Sequence, residues 1–585
     1  MNWNVIADLI RNPLKMVIAA VYLLLIACGC YACASIASPE GGDFDYDPPE
    51  FVGSEPKLGA TLINKNKIVL TFDEYIVLEK PNEKVIITPP QKKPPVIKAY
   101  GKHISVELKD SLIPNTTYTF DFTDAISDNN EKNTIEGFTY AFSTGNVIDS
   151  LVIAGCVLDA ENLEPMPNIM VGIHSDLSDT AFTTLPFLRT SQTNESGRFW
   201  IRNVPPGTYH IFALSEQNRN FRYDQPGESI AFDDSLIVPS FEPAVRMDTI
   251  WRDSLIVDTL KEVHYTRFTP DNIVLRLFKP LIPADTTQLA DQPKREMRKK
   301  AKESKQDSIQ TDSIQWLEVS FQPAAGTLDV LDTLKITFSD TIQALDLQVI
   351  QISQKVDTLW QKRDFPIVPD SLNPLLYYIQ HDWSYGTEYR VQVDSAAIVD
   401  IHDNPNKPAA ATFKTPAEEF YAHLYVQISG ITGHGFGQLL DASGKVVRQT
   451  NLQNDELIFE NLKPTKYYLR YIDDWNDNGQ WDTGDYATGL QPEPVYYFPV
   501  GIELKGYMEH TENWNVTALP VERQKPAEIT KNKPKEKQIK QRDRTTQKNR
   551  NTNNNGNNGN NEQQGNSSSR TLSSPAGQSL RRMSR

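Results

Sequence analysis

Leu112-Ile-Pro-Asn-Thr-Thr-Tyr118-Thr-Phe-Asp-Phe122 gives the clearest indication of the fold class of this chain. A Pro-Asn turn leads into a run in which aromatic and polar residues alternate, which is typical of a strand with one buried face. Ile68-Val-Leu-Thr-Phe72 and Ile104-Ser-Val-Glu-Leu108 repeat this alternation. Short alternating strands at regular spacing predict a β-sandwich, and Tyr118 stands where a tyrosine corner would fix a crossover between strands.

The same order of motifs returns later in the chain. Tyr385-Gly-Thr-Glu-Tyr389-Arg-Val-Gln-Val393 matches the turn and strand around Tyr118, and Leu334-Lys-Ile-Thr-Phe338 matches the strand that ends at Phe72. Both segments resemble the bacterial Ig-like domain of S-layer-type proteins and of many lipoproteins of the Bacteroides group. The resemblance implies Ig-like sandwiches over residues 51–147 and 316–416.

Two further segments share a different pattern. Asn194-Glu-Ser-Gly197-Arg-Phe199 followed by Pro206-Gly207-Thr-Tyr209 corresponds to Phe459-Glu-Asn-Leu-Lys-Pro464-Thr-Lys-Tyr467. They resemble the prealbumin-like, or carboxypeptidase-regulatory-like, β-sandwich, which implies such modules over 148–283 and 417–522. The chain is therefore predicted to be all-β, with one Ig-like and prealbumin-like pair used twice. Asp271–Phe278 is predicted as the last strand of the first pair.

The N-terminus is predicted to be a secretory signal. Met16–Ile26 is an apolar run that follows basic residues, and Leu25-Ile-Ala-Cys28 resembles a bacterial lipobox. The residues after Cys33 resemble the mature start of Bacteroides-group lipoproteins. We expect a signal peptide over 1–33 with Cys33 lipidated, Cys28 being the alternative, and a tether over 34–50. An uncleaved N-terminal anchor is the other interpretation.

Cysteine and charge patterns limit the remaining classes. Only Cys156 lies outside the N-terminus, which excludes a disulfide within the body and a CxxC-type zinc or redox site there. From Arg523 onward there are 15 Lys and Arg residues and 4 Asp and Glu residues, a net charge of +11 that leaves −27 for the rest. Low apolar content predicts a disordered basic, Asn-rich tail over 523–585 and a charged linker over 284–315.

The most specific motif is an acidic loop after Tyr467-Tyr-Leu-Arg-Tyr471. Alternating oxygen side chains with Gly479 at the sharp turn fit the pattern of a Ca²⁺-binding loop. Hard oxygen ligands suit Ca²⁺ better than zinc. The proposed ligands are Asp474, Asn476, Asn478, the Gln480 carbonyl, Asp482 and Asp485. A turn in which Trp475 and Trp481 pack on the sandwich is the alternative interpretation.

Other polar clusters favour structural interpretations. The loop 216–228 is an eroded copy of the acidic loop, because Phe221 replaces the glycine. Solvated turn carboxylates are the expected role of the acidic residues of the first Ig-like module. The nine histidines form no pattern with metal-ligand spacing. The acidic residues concerned are Asp73, Glu74, Asp124 and Asp128.

No nucleophile elbow, P-loop or dinucleotide fingerprint is found, so we expect a non-enzymatic envelope scaffold or protein-interaction lipoprotein. Its expected place is the outer membrane, with a lipid anchor and an envelope or outer-membrane protein partner. The acidic residues come late after Cys33, which favours the periplasmic face over the cell surface. The tail is expected to contact an anionic envelope polymer and not nucleic acid. A glycan-binding adhesin that uses exposed Trp side chains, and an accessory subunit of an envelope hydrolase, are the alternatives.

Overall fold

Alternating apolar residues form strands along most of this chain, because every second side chain can then face a common core. The structure is a computed structural model that describes residues 45–253, 256–280, 315–343 and 349–534, with Val17 and Val21. The regular secondary structure in these ranges is almost entirely strand, so the predicted all-β fold of tandem sandwiches is confirmed. No helix in the described ranges is long and apolar enough to cross a membrane.

Several sequence predictions concern residues that lie outside the described ranges. They include the lipidation candidates Cys28 and Cys33, the linker 284–315 except for its last residue, and the tail beyond residue 534. The signal peptide over 1–33 is outside them apart from Val17 and Val21. These interpretations stay predictions.

Module 1 packs three small sheets around one core. The sheets have the strand orders β1-β2-β6-β5, β10-β7-β4 and β3-β8-β9, and all three contribute to the same apolar cluster. Ile68, Leu70 and Phe72 alternate into that core, as their spacing predicts. The elements are β1 (Phe51–Glu55), β2 (Lys67–Phe72), β3 (Ile76–Leu78), α1 (Pro81–Lys84), β4 (Ile86–Thr88), β5 (Val96–Tyr100), β6 (His103–Glu107), β7 (Thr117–Asp121), β8 (Ile126–Asp128), β9 (Thr134–Ile135) and β10 (Thr139–Ser143).

Module 2 is a two-sheet sandwich with an added ribbon. Sheet β14-β11-β19 and sheet β13-β12-β15-β16 share one core, and the predicted last strand at 271–278 forms β19, parallel to β11. The elements are β11 (Leu151–Asp159), β12 (Met170–His174), α2 (Ala181–Thr184), β13 (Arg189–Gln192), β14 (Arg198–Val204), β15 (His210–Leu214), β16 (Ile230–Phe232), β17 (Ser240–Asp253), β18 (Ile256–Thr269) and β19 (Ile273–Leu277).

The β17–β18 ribbon was not predicted from the sequence. Its two antiparallel strands have 14 residues each and form a sheet of their own. At a rise of about 3.3 Å per residue, each strand is roughly 46 Å long. The base of the ribbon lies against β11, and most of its described side chains from 240 to 249 and from 260 to 267 are exposed.

Modules 3 and 4 are again built from packed sheets. Module 3 has sheets β20-β22-β26-β25 and β21-β28-β27-β23-β24, and module 4 has β32-β29-β36 and β31-β30-β33-β34, with β35 beside β33. Each module has its own core. The strands are β20 (Val319–Gln322), β21 (Ala325–Thr327), β22 (Leu334–Phe338), β23 (Ile350–Val356), β24 (Leu359–Arg363), β25 (Ile367–Pro369), β26 (Leu376–Ile379), β27 (Glu388–Val393), β28 (Ala409–Lys414), β29 (Ala422–Ser429), β30 (Phe436–Leu440), β31 (Val446–Asn451), β32 (Glu456–Leu462), β33 (Lys466–Ile472), β34 (Val495–Tyr497), β35 (Ile502–Glu503) and β36 (Glu509–Asn515).

The tyrosine corner occurs in modules 1 and 3 with the same hydrogen bond. The Tyr118 hydroxyl accepts the Ile113 N–H at 2.8 Å, and the Tyr389 hydroxyl accepts the Ser384 N–H at 3.0 Å. Both tyrosine rings are fully buried. The repeat inferred from sequence is therefore a repeat of side-chain geometry as well.

Modules 2 and 4 pack directly on each other, although module 3 separates them in sequence. Cys156 and Leu158 of β11 meet Phe436 of β30 and Tyr468 of β33 in a buried cluster. The other face of β11 fills the core of module 2, so this strand is buried on both faces. We call this group the inter-sandwich cluster: Cys156, Leu158, Leu163, Phe436, Leu440, Tyr468, Ile472, Val495, Tyr497 and Ile529.

The folded body extends beyond residue 523, where composition predicts that the tail begins. Ile529 is buried in the inter-sandwich cluster, and Lys525 Nζ lies 2.6 Å from Glu164 Oε1 of module 2. The Glu164 carboxylate also accepts the N–H groups of Lys531 and Asn532. The boundary at 523 is therefore too early. Because the segment is basic overall, its composition does not reveal that the Ile529 side chain and the Lys525–Glu164 ion pair are buried and hold the segment against the folded body.

Candidate functional site

The acidic loop begins directly after β33 and wraps its backbone around one carboxylate. Asp474 is buried, and its oxygens accept the N–H groups of Asn476 and Asn478 at 3.3 Å and of Gly479 at 2.7 Å. Gly479 has φ +74°, a left-handed conformation that glycine adopts without strain. The turn predicted from the sequence is therefore present.

Asp474 and four more of the six predicted ligands lie together in this loop. The side-chain amides of Asn476 and Asn478 donate to Asp482 Oδ2 at 2.5 and 2.8 Å. Gln480 follows them and donates its N–H to Asn478 Oδ1 at 2.7 Å. Carboxylate, amide and carbonyl oxygens are the ligands that Ca²⁺ prefers. The donor set therefore fits this ion.

Asp485, which was predicted to complete the ligand set, lies in a separate turn. Its carboxylate accepts the Ala487 N–H at 3.1 Å and the Thr488 hydroxyl at 2.9 Å, and its backbone pairs with Leu490. In a helix–loop–helix protein the following helix would bring this position to the ion. Here a strand precedes the loop and a turn follows it, so the residue takes another direction.

Glu493, which the sequence analysis did not single out, binds the backbone of the acidic loop. It is 3% exposed, and its two oxygens accept the N–H groups of Trp475 and Asp482, each at 3.0 Å. Burial raises the pKa of Glu493, and the charges of Asp474 and Asp482 raise it further. No spacing rule identifies Glu493, because an irregular segment separates it from the motif.

The loop 216–228 keeps this geometry in spite of its different sequence. Glu216 accepts the N–H groups of Asn218, Arg219 and Phe221 at 2.7–3.1 Å. The amides of Asn218 and Asn220 both donate to Asp224. Phe221 adopts φ +63° where the other loop has its glycine.

Glu228 is the counterpart of Glu493 in this first copy. It is fully buried and accepts the N–H groups of Gln217, Asp224 and Gln225. The two loops are therefore one structural element used twice, with a buried glutamate in each.

The acidic loop of module 4 and the segment that follows it form hydrogen bonds with module 2. The Thr483 hydroxyl donates to the Lys279 carbonyl at 2.9 Å, and the Tyr486 hydroxyl donates to the Asp179 carbonyl at 2.8 Å. Gln491 donates to the Phe232 carbonyl at 3.1 Å. An ion that stiffens this loop would therefore also stiffen the contact between the sandwiches.

The acidic residues of module 1 do not all meet. Asp124 pairs with Lys84 at 2.8 Å, whereas Asp128 is buried. Burial alone would raise the pKa of Asp128, but backbone N–H groups bound to its carboxylate lower it. Burial raises the pKa of Glu74, and the charges of Asp128 and Asp73 raise it further. Asp128 therefore has a structural role in its turn, but the expectation of a solvated carboxylate is wrong for this residue, because its backbone hydrogen bonds hold it in a buried position.

One histidine of module 3 lies in a group of potential ligands that its sequence spacing did not reveal. Ligand atoms of Asp340, Asp400 and His402 lie within 4.8 Å of one another, and His402 Nδ1 is 3.2 Å from Asp340 Oδ2. Both Asp400 oxygens already accept hydrogen bonds, from the N–H of His402 and from the N–H and side chain of Asn404. We therefore infer that the Asp400 carboxylate stabilises the turn formed by the residues that follow it.

The tryptophans relevant to glycan binding divide into two groups. Trp383 is 4% exposed and donates to the Asp332 carbonyl at 2.8 Å, and Trp481 packs against the inter-sandwich cluster. Trp200 and Trp475 are 38% and 46% exposed. Core packing thus accounts for two of the four rings that a glycan-binding surface would require.

Comparison with known proteins identifies the first module. Residues 45–144 match the family model described as bacterial Ig-like domain. Module 1 is a bacterial Ig-like domain. This assignment agrees with the resemblance inferred from its strand motifs and with its tyrosine corner. No curated protein matches the chain.

Solved structures with weak likeness include bacterial surface proteins. The TIE protein of Bacillus anthracis has 10% identity and a TM-score of 0.12, with 82% of this chain and 76% of that chain covered. The major pilin subunit BcpA of Bacillus cereus has 8% identity and a TM-score of 0.13, with 63% and 99% covered. The N-terminal part of the bacterial S-layer protein SbsC has 15% identity and a TM-score of 0.13, with 32% of this chain and 40% of that chain covered.

Proposed function

We propose that this chain is a non-enzymatic, lipid-anchored scaffold of the bacterial cell envelope. The observation that supports this most is the inter-sandwich cluster. In this cluster, buried apolar side chains join module 2, in the first half of the chain, to module 4, in the second half. Large apolar contacts between modules suppress relative motion. A body held in this way can present its surfaces at fixed positions to a partner.

The proposed anchor is a lipid on Cys33, with Cys28 as the alternative, at the outer membrane and on its periplasmic face. An envelope or outer-membrane protein is the proposed partner of the folded body. The basic tail after residue 534 would contact an anionic envelope polymer, because opposite charge attracts it.

The proposed cofactor is Ca²⁺ in the acidic loop. Asp474, Asn476, Asn478, Asp482 and the carbonyl of Gln480 would hold it, with Glu493 as the further carboxylate in place of Asp485. The ion would neutralise carboxylates that now depend on backbone N–H groups and amides. Its effect would be to stiffen the loop and its contacts with module 2.

Affinity purification of the native protein from solubilised outer membrane tests the scaffold. We expect an envelope protein to be recovered in stoichiometric amount and a lipid to be found on the N-terminal peptide at Cys33. Single Cys33→Ala and Cys28→Ala variants serve as controls that locate the lipid. An unmodified N-terminus would contradict the anchor, and recovery of the protein alone would contradict the scaffold.

A further inference from the structure

A half-open cavity of about 250 Å³ lies where module 2, the base of the β17–β18 ribbon and the end of module 4 meet. One wall includes Cys156 of β11, which is 5% exposed. Arg198 of β14 is directly opposite Cys156 in the sheet, so the two side chains share a face. Glu522 and Arg523 line the cavity from the short helical turn Val521–Arg523. Both halves of the chain therefore contribute to this cavity.

The charged side chains of the cavity are three arginines and two carboxylates, which gives a net charge of +1. Arg267 is already occupied, because Asp271 accepts two of its N–H groups at 3.1 and 3.2 Å and Glu242 lies 3.6 Å away. Within the ranges that the structure describes, the guanidinium groups of Arg198 and Arg523 form no ion pair and no hydrogen bond. Their N–H donors are therefore available to a ligand.

The charges of Arg198 and Glu522 both reach the Cys156 thiol. Burial raises the pKa of this thiol to about 11, and the Glu522 carboxylate contributes to the rise, whereas the Arg198 guanidinium opposes it. A guanidinium and a carboxylate that act on the same atom must lie near each other. The cavity therefore offers hydrogen-bond donors and an acceptor to one ligand.

The chemistry of the lining selects the ligand. Guanidinium groups bind planar carboxylates and phosphates through paired N–H donors. A dianion such as phosphate would be repelled by the carboxylates of Glu522 and Asp271, whereas a single carboxylate is repelled less. Cavities for drug-sized ligands measure roughly 300–1,000 Å³, so this one suits a smaller group. The lining therefore favours a small ligand with one carboxylate and a neighbouring N–H donor.

We propose that the cavity binds the carboxylate of an amino acid or of a peptide C-terminus, with Arg198 and Arg523 as its donors. Glu522 would accept an N–H of the ligand's ammonium or amide group. Because Arg198 belongs to module 2 and Arg523 follows module 4, the ligand would connect the two halves of the chain beside the inter-sandwich cluster. This site does not depend on the lipid anchor or on Ca²⁺ in the acidic loop.

Ligand-observed saturation-transfer NMR of the full chain in mild detergent tests this proposal with acetylglycylglycine as the probe. Exposed ion pairs contribute little, so we expect a dissociation constant on the order of 1 mM. Arg198→Gln and Arg523→Gln should each weaken binding at least about threefold. Arg363→Gln is the matched control, because Arg363 is an exposed arginine of module 3, and it should bind like the unaltered chain.

Three further probes identify what is recognised. Acetylglycylglycine amide lacks the carboxylate and should not bind, and inorganic phosphate should bind more weakly than the peptide. Glycine distinguishes the two sources of the carboxylate, because tighter binding of glycine would indicate a free amino acid and tighter binding of the peptide a chain end. Equal binding of the amide, tighter binding of phosphate, or unchanged binding by both arginine variants would overturn the proposal.

Protection from the arginine reagent phenylglyoxal tests the site without any substitution. Arg198, Arg523 and Arg363 are all exposed, so mass spectrometry of their peptides can follow each modification. Only the unoccupied fraction of the site reacts, so acetylglycylglycine at about nine times its dissociation constant should slow modification of Arg198 and Arg523 about tenfold. The rate at Arg363 should not change. Unchanged rates at Arg198 and Arg523 would overturn the proposal.

Discussion

Asn203 and Asn461 occupy equivalent positions in modules 2 and 4, and each accepts a hydrogen bond from a hydroxyl group of the preceding module. The Asn203 Oδ1 atom accepts the Thr119 hydroxyl of module 1 at 3.2 Å, and the Asn461 Oδ1 atom accepts the Tyr385 hydroxyl of module 3 at 2.6 Å. Their φ angles are +56° and +55°. Asparagine combines tolerance of this conformation with a side chain that can reach across the junction.

Substitution of Asn461 tests how this junction is held. Asn461→Ala loses the hydrogen bond and places alanine in the left-handed region, so we expect a loss of about 2 kcal/mol in unfolding free energy. Asn461→Gly loses the hydrogen bond without the conformational cost and should lose about 1 kcal/mol. Urea unfolding of both variants measures the difference. Equal losses would mean that backbone conformation contributes nothing here.

Calorimetric Ca²⁺ titration can show whether Glu493 or Asp485 is the sixth ligand of the acidic loop. Glu493→Gln removes a buried carboxylate and is expected to weaken Ca²⁺ binding at least about tenfold. Asp485→Asn alters only a neighbouring turn and should leave the affinity unchanged. The reverse order would restore Asp485 as the ligand. Absence of binding heat in the unaltered protein would remove the Ca²⁺ proposal.

The same site predicts a pH dependence. Burial raises the pKa of Glu493, and Ca²⁺ requires this carboxylate to be ionised. As pH falls, Ca²⁺ affinity should therefore decline before an ordinary glutamate would titrate. The Glu493→Gln variant has no such group and should show a smaller decline over the same range. Parallel titrations of the two proteins at decreasing pH measure this.

The Glu164–Lys525 pair is expected to make the contact between modules 2 and 4 acid-sensitive. Burial alone would raise the pKa of Glu164, but hydrogen bonds from Lys525 and the N–H groups of Asn532 and Lys531 lower it below the ordinary value near 4.5. A carboxyl with a lowered pKa in the folded state stabilises above its unfolded pKa and loses that contribution as pH falls through the folded pKa. Urea unfolding between pH 7 and pH 3 should show this loss.

Removing one partner of this pair should be costly at neutral pH. Glu164→Gln leaves a buried ammonium without its carboxylate, with an expected loss of about 3–5 kcal/mol. The exposed pair of Lys466 and Glu528 is the control, and Glu528→Gln should leave stability unchanged. A small effect of Glu164→Gln would show that Lys525 can reach solvent when its partner is lost.

Local alternation was sufficient to predict the module cores. Ile68, Leu70 and Phe72 are buried as their period of two requires, and Tyr118 and Tyr389 make the predicted corners. These features depend on residues that are close in sequence. The β17–β18 ribbon was missed because β17 contains Pro243 and because the described side chains of its strands form no buried face that would impose alternation.

The sequence contains a signal of the contact between modules 2 and 4, but this signal is continuous apolar character and not alternation. Leu151-Val-Ile-Ala-Gly-Cys-Val-Leu158 and Tyr467-Tyr-Leu-Arg-Tyr-Ile472 are almost continuous apolar runs. Such runs indicate strands that are buried on both faces. They do not identify the partner surface, because that depends on packing between distant segments. Glu493 was missed for the same reason.

Cys156 offers a direct measurement of the inter-sandwich contact. It lies in the inter-sandwich cluster, and burial raises the pKa of its thiol to about 11. Because the thiolate is the reactive form, thiol reagents should label Cys156 far more slowly in the folded chain than in urea. Leu158→Asp places a charge in the cluster and should accelerate labelling, whereas Leu372→Asp should not, because Leu372 is 94% exposed in module 3. Mass spectrometry of the Cys156 peptide distinguishes it from the N-terminal cysteines. Rapid labelling of the unaltered folded chain would show that modules 2 and 4 separate in solution.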